Sequence, residues 1–287
     1  MNTLTDSERR SYLKRIHIDD IKPPTLEYLS EVHRAHVQYL SWQTIDIFTK
    51  RPEGIDLANS VRLVLQERSG YCFHLNGAFS ILLRSLGYEV QWHRAGVQPH
   101  GEQPRVNSFH LGLSVLLPET DNERWIVDVG LGGMPFNPLP LRYGIYGEAP
   151  FTYNLMSSSV ASDGWRLEYE PHGPSEGVDY APEVLRNLDE FIPKHQFYSQ
   201  SAESPWHNVF LLRQRDAAAS NELRGCMLRT HTAEGIHKTE IQSYTEWREL
   251  LDGVFHEPLV RYSELERVEM WERIRVAHDK WKRTQQG

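Results

Sequence analysis

Two cysteines in 287 residues, Cys72 and Cys226, are too few for a disulfide scaffold. No apolar run approaches the roughly 20 residues of a membrane-spanning helix, so no membrane partner is expected. The 31 basic residues are scattered among 39 acidic ones for a net charge of −8. A chain without a basic stripe is a poor match for duplex nucleic acid, and none is expected as partner. Residues 1–15 are polar and lack the apolar heart of a signal peptide, which leads to an expected cytoplasmic location. Internal repeats, heptads and low-complexity tracts are missing. So are complete metal sets. His33 and His36 lie three apart with no cysteine or carboxylate to finish a site, and Cys72 and His74 point roughly 200° apart on a helix. The 130–133 stretch, Gly-Leu-Gly-Gly, lacks the Lys-Ser/Thr of a phosphate loop. Its glycines read as a turn that lets a ligand approach the backbone.

What is present excludes disorder as the main state: 39% hydrophobic and 11% aromatic residues recur along the whole chain. The length exceeds what one core usually organises, so two or three packed units are expected. Residues 25–40 carry Leu26, Leu29, Val32, Ala35, Val37 and Leu40 near a 3.6-residue period, after Pro23 and Pro24. Further helices are expected over 56–67 and from Cys72 to Leu86, the latter stopped by Gly87 in a left-handed cap. From Tyr88 the pattern turns to strands, at 88–97, 108–117, 125–129, 151–160 and 165–170, with 118–122 as a hairpin loop. Strands at 209–214, 227–232 and 236–242 follow, then helices opened by Ser243-Tyr-Thr-Glu246 and Ser263-Glu-Leu-Glu266. On the last helix Met270, Trp271, Ile274, Ala277 and Trp281 form one apolar stripe, read as packing.

Cys72 follows a Ser-Gly turn at a helix start, where free N–H groups and the helix dipole favour a thiolate. The alternative is a small buried hydrophobe, the reading kept for Cys226. A nucleophilic cysteine needs a base, and the base an orienting acceptor. His110 and Asp128 lie in strands flanking the hairpin loop, and the midpoint of 110 and 128 is 119, inside that loop. An antiparallel register near His110 opposite Asp128 is therefore allowed, and it would relieve the cost of a charge in an apolar strand.

Together Arg68-Ser-Gly-Tyr-Cys72-Phe-His-Leu-Asn76, Phe109-His110-Leu-Gly-Leu and Val127-Asp128-Val-Gly130 resemble the arylamine N-acetyltransferases. Residues 40–47 and 198–206 are similar to further segments of that family. The resemblance implies an α+β fold with a papain-like cysteine-triad core. Its units would be an N-terminal helical bundle (1–87), a central antiparallel β-barrel (88–195) and a C-terminal α/β lid (196–287). It implies Cys72 as acyl-accepting nucleophile, His110 as base and Asp128 as its orienter, with no metal. It implies acetyl-CoA as donor, held near Gly130, Gly132 and Ser204. The acceptor would be an arylamine, arylhydrazine or arylhydroxylamine, lying against Phe73, Phe109, Leu131 and Trp206. Ser69, His74, Phe109, Leu131 and Trp206 depart from the family pattern. His74 stands where glutamate is usual, which bears on a partner for Arg68. An amide synthase of the same superfamily, passing an acyl chain from a carrier protein to an amine with macrolactam closure, is the alternative.

Overall fold

A computed structural model describes residues 3–285. Eight α-helices and two antiparallel sheets make up the described chain. The helix starts follow side-chain caps. Thr5 caps α1 (Asp6–Arg15) by accepting from Glu8 N, Thr25 caps α2 (Leu26–Tyr39), and Asp56 caps α4 (Leu57–Leu65); each satisfies an N–H that has no intrahelical partner. Between them α3 (Ile45–Phe48) is a single turn. At the centre lies α5 (Cys72–Ser85), with every residue from Cys72 to Leu83 buried. It packs against α4 and α1 on one side and the first sheet on the other. Gly87 ends that segment with φ +95, as expected of a left-handed stop.

The first sheet follows directly. β2 (Glu89–Gln98) and β3 (His110–Leu117) pair antiparallel, and β4 (Glu123–Ile126) returns beside β3. β5 (Leu139–Pro140) flanks β4, while β6 (Gly144–Glu148), β7 (Phe151–Ser157), β8 (Trp165–Tyr169) and β9 (Gly177–Leu185) complete the other half. The order is β5-β4-β3-β2-β9-β8-β7-β6, a curled antiparallel sheet whose inner face holds Tyr153, Leu167, Val178 and Tyr180. The second sheet has the order β1-β10-β11-β12-β13. Here β1 (Trp42–Gln43) comes from the helical N-terminal part and pairs with β10 (Leu211–Arg215). β11 (Ala219–Arg224), β12 (Met227–Thr232) and β13 (Gly235–Glu240) continue it, covered by α7 (Tyr244–Gly253) and α8 (Glu264–Gln285). The expected α+β class and its order of helices, sheet and mixed unit hold.

Several details differ. The boundary expected at 195 falls inside α6 (Ile192–Gln200), a helix the pattern did not announce. The strand expected over 125–129 is β4, which ends at Ile126, so Asp128 sits in irregular backbone just beyond. The stripe on α8 packs only through Met270, Trp271 and Ile274; Ala277 is exposed and Trp281 is 50% exposed. Among the described residues no helix is long and apolar enough to cross a membrane.

Candidate active site

Cys72 is the first residue of α5 and only 3% exposed. Its thiol lies 3.8 Å from the Phe109 carbonyl oxygen, towards which it donates. The backbone N–H groups of Phe73, Cys72 and Leu111 also bear on the sulfur, so it stands against the start of β3, one residue either side of His110. His110 is fully buried, and its Nε2 meets Asp128 Oδ2. The other ring nitrogen, Nδ1, is buried with no hydrogen-bond partner among the described residues. In an imidazole whose Nε2–H is held by a carboxylate, Nδ1 is the basic nitrogen.

Asp128 is held by more than His110. Asn76 Nδ2 donates to Oδ1 at 2.7 Å, the Gly130 N–H to the same oxygen at 2.9 Å, and Tyr180 Oη to Oδ2 at 2.8 Å. Burial opposes ionisation of this carboxyl. The charge and hydrogen bond of His110, with Asn76 and the Gly130 N–H, outweigh it and hold the group below its ordinary value. Asn76 lies four residues after Cys72, on the same helix face, and its Oδ1 also accepts from the Val129 N–H. That spacing was the available signal for its role. Tyr180 had none: it comes from β9, an unannounced strand, and stacks on Trp165 at 5.4 Å.

The sulfur's own balance runs the other way. Burial pushes the Cys72 thiol up and the Asp128 charge adds to it, against the three N–H groups that lower it. The helix start does stabilise the thiolate, but it does not overcome burial by itself. A lone thiolate is disfavoured here.

The expected binding residues divide. Phe109, Tyr198 and Trp206 form one aromatic cluster, with Phe109 stacked on Tyr198 at 4.2 Å and Trp206 at 4.8 Å from Tyr198 and 5.2 Å from Tyr71. It stands over the backbone that meets Cys72. Phe73 and Leu131, by contrast, are core: the Phe73 ring packs on Phe191, and Leu131 belongs to the interior of the curled sheet. The glycine turn also has another cause than a ligand. A Cβ on Gly130 would lie 2.5 Å from Asn76 Nδ2, and one on Gly132 2.3 Å from Arg213 Cβ. The close approach is made by the chain's own side chains. Ser204 is buried and caps the short 3-10 helix Pro205–Asn208, donating to the Tyr198 carbonyl and accepting from the Trp206 N–H.

The departures have partners too. Arg68 is paired with Asp46 and Glu53, both at 2.8 Å, and needs nothing from position 74. His74 Nε2 meets the Gly54 carbonyl at 3.2 Å, and burial keeps its pKa down. Ser69 donates to Glu257 at 2.9 Å, a carboxyl that burial pushes up to about 7. No group of three or more His, Cys, Asp or Glu poised for a metal occurs among the described residues.

A family model described as N-acetyltransferase matches residues 25–261. The chain is 32% identical over 168 residues to the arylamine N-acetyltransferase / N-hydroxyarylamine O-acetyltransferase of Salmonella typhimurium, covering 56% of this chain and 57% of that protein. It is 33% identical over 143 residues to the arylamine N-acetyltransferase of Mycolicibacterium smegmatis, covering 46% and 50%. The chain thus spans about half the length of the curated relatives it matches. Among solved structures, the S. typhimurium arylamine N-acetyltransferase superposes with a TM-score of 0.79 at 23% identity, over 94% of this chain and 99% of that one. The Mycobacterium marinum arylamine N-acetyltransferase in complex with CoA gives 0.79 at 24%, over 92% and 97%. These likenesses establish the fold.

Proposed function

Because this chain belongs to the arylamine N-acetyltransferase family, we propose that it moves an acetyl group from acetyl-CoA through a Cys72 thioester to an aromatic amine, hydrazine or hydroxylamine. The observation that carries the reading is local. A buried sulfur rests against the Phe109–Leu111 backbone, and the histidine between those residues is locked to an ionised carboxylate.

In the first half-reaction the Cys72 proton passes to His110 Nδ1 as the sulfur attacks the thioester carbonyl. The imidazolium supplies the positive charge that burial denies the thiolate, and Asp128 supports it through Nε2. Backbone N–H groups at the start of α5 face the developing oxyanion, and one such donor is worth about 3–4 kcal/mol. The C–S bond to CoA breaks, and the CoA thiolate leaves with the proton from His110. In the second half-reaction the amine attacks the acetyl-enzyme, His110 takes the amine proton and passes it to Cys72 as the C–S bond breaks, and Cys72 leaves as a thiol. Arylamines suit this step because they are neutral near pH 7, so a lone pair is available without prior proton loss. Phe109, Tyr198 and Trp206 offer aromatic faces to such an acceptor. Donor recognition by CoA is supported by the related M. marinum enzyme, which binds it.

The test is intact-protein mass spectrometry after mixing with acetyl-CoA and no acceptor. A mass gain of one acetyl group on Cys72, discharged on adding an arylamine and absent in Cys72→Ser, is expected. A Cys72→Ser enzyme with undiminished turnover would remove the nucleophile from the account.

A further inference from the structure

A groove of about 580 Å³ lies between the last turns of α8 and the strands β11, β12 and β13, away from Cys72, His110 and Asp128. Its volume is in the range of small-molecule sites, roughly 300–1,000 Å³. Phe48, Phe210, Leu228 and Ile274 line it, with Trp281 half-exposed at its mouth. This is where the stripe on α8 stops being packed, because Ala277 is too small to reach the sheet. Three cations stand on the same groove: Arg224, Arg229 and Lys238. Arg229 is held by a backbone carbonyl, that of His172, and Arg224 and Lys238 are exposed. Glu222 also lines the groove and is felt by Arg229 and Arg224, and Glu240 stands close by. Glu222 is paired with Arg213 at 2.6 Å, and Glu240 with Lys282 at 2.9 Å and His278 at 3.1 Å. In a chain of net charge −8, the groove therefore joins an apolar floor to a rim on which three cations stand against one carboxylate, Glu222, leaving it net positive.

We propose that this groove binds an organic carboxylate with an apolar body, the chain against Phe48, Phe210, Leu228 and Trp281 and the carboxylate towards Arg224 and Lys238. An apolar floor alone would take any hydrophobe; the rim selects the anion.

Isothermal titration with octanoate, and with 1-octanol as its uncharged counterpart, tests this on the full chain. Octanoate is expected to bind one-to-one below about 1 mM, and 1-octanol about tenfold more weakly. The double change Arg224→Gln with Lys238→Gln is expected to weaken octanoate about fivefold and leave 1-octanol unmoved. Ala277→Trp, at an exposed position, fills the groove and abolishes both. Equal affinity for the acid and the alcohol, undiminished binding to Ala277→Trp, or no saturation by about 10 mM overturns the proposal. If Ala277→Trp fails to melt cooperatively, the charge variant decides.

Discussion

A carboxylate with both oxygens doubly engaged behaves as a fixed charge, and Asp128 is such a group: Oδ1 accepts from Asn76 and Gly130, Oδ2 from Tyr180 and His110. Tyr180→Phe keeps the ring on Trp165 and deletes one donor. Hydrogen bonds to charged groups are worth about 1.5–3 kcal/mol, so a loss of that order in urea unfolding is expected, with slower acetyl transfer. A variant as stable as the parent would show that the bond contributes nothing. The sulfur gives a second prediction. Since burial pushes the Cys72 thiol up, removing the imidazole in His110→Gln leaves little thiolate at neutral pH. Alkylation by iodoacetamide at pH 7 should fall at least about tenfold and then climb steadily with pH. Glu257 gives a third. Its folded value of about 7 lies above the ordinary 4.5, so the folded state holds that proton more tightly than the unfolded chain. The stabilisation is complete below pH 4.5, and about 3 kcal/mol is lost as pH rises through 7. Thermal midpoints should decline between pH 5 and 8 more steeply in the parent than in Glu257→Gln; parallel curves would refute the assignment.

At the scale of elements, what could be read from the sequence followed from periodicity. α2, α4 and α5 were legible because their apolar residues return every three to four positions, α2 and α4 after a capping side chain and α5 between the Ser69-Gly70 break and Gly87. β2 was legible from its β-branched and aromatic content and β3 from its alternation of small polar with apolar positions. β9 was not: Gly177–Leu185 is buried without alternation over its first five residues and contains Pro182, so no period of two marks it. α6 carries a proline near its start and no apolar stripe. The hairpin register was nearly right. β3 and β4 pair Ser114 with Ile126 and Leu117 with Glu123, a centre at 120 instead of 119. Extending that register sets Asp128 against Gly112, two positions from His110 and on the same face. The His110–Asp128 pairing was therefore legible from motif and parity, whereas the further donors to Asp128 needed coordinates. Gly112 marks the gap. A Cβ there would lie 2.5 Å from Tyr180 Cδ1, so the strand leaves that position bare to let Tyr180 reach Asp128. Gly112→Ala should cost about 1–3 kcal/mol by overpacking. It should also reduce acetyl transfer more than Tyr180→Phe does, because it displaces the whole ring; a milder effect would show that Tyr180 does not act through Asp128.

Across the whole molecule the three expected units are interlocked. β1 of the helical part forms the edge of the second sheet, and a polar chain crosses all three. Arg34 on α2 donates to Asn137 Oδ1 at 2.8 Å, and the Asn137 N–H donates to Glu148 at 2.8 Å. Glu148 meets Arg215 of β10 at 3.2 Å. Arg215 is fully buried, and it also donates to the carbonyls of Met134, Glu148 and Ala149 and to the Tyr153 hydroxyl. A buried cation satisfied on this many sides joins the second sheet to the curled one, and the join sits beside the 132–134 backbone that continues from Asp128. Arg215→Met keeps the apolar volume and strands Glu148 without its cation, so a loss of about 3–5 kcal/mol is expected. Adding Glu148→Gln removes the stranded charge and should recover part of that loss, giving a coupling energy above about 1 kcal/mol in the double-mutant cycle. Additive effects in urea unfolding would mean that the two sheets are joined by apolar packing and that the ion pair is incidental.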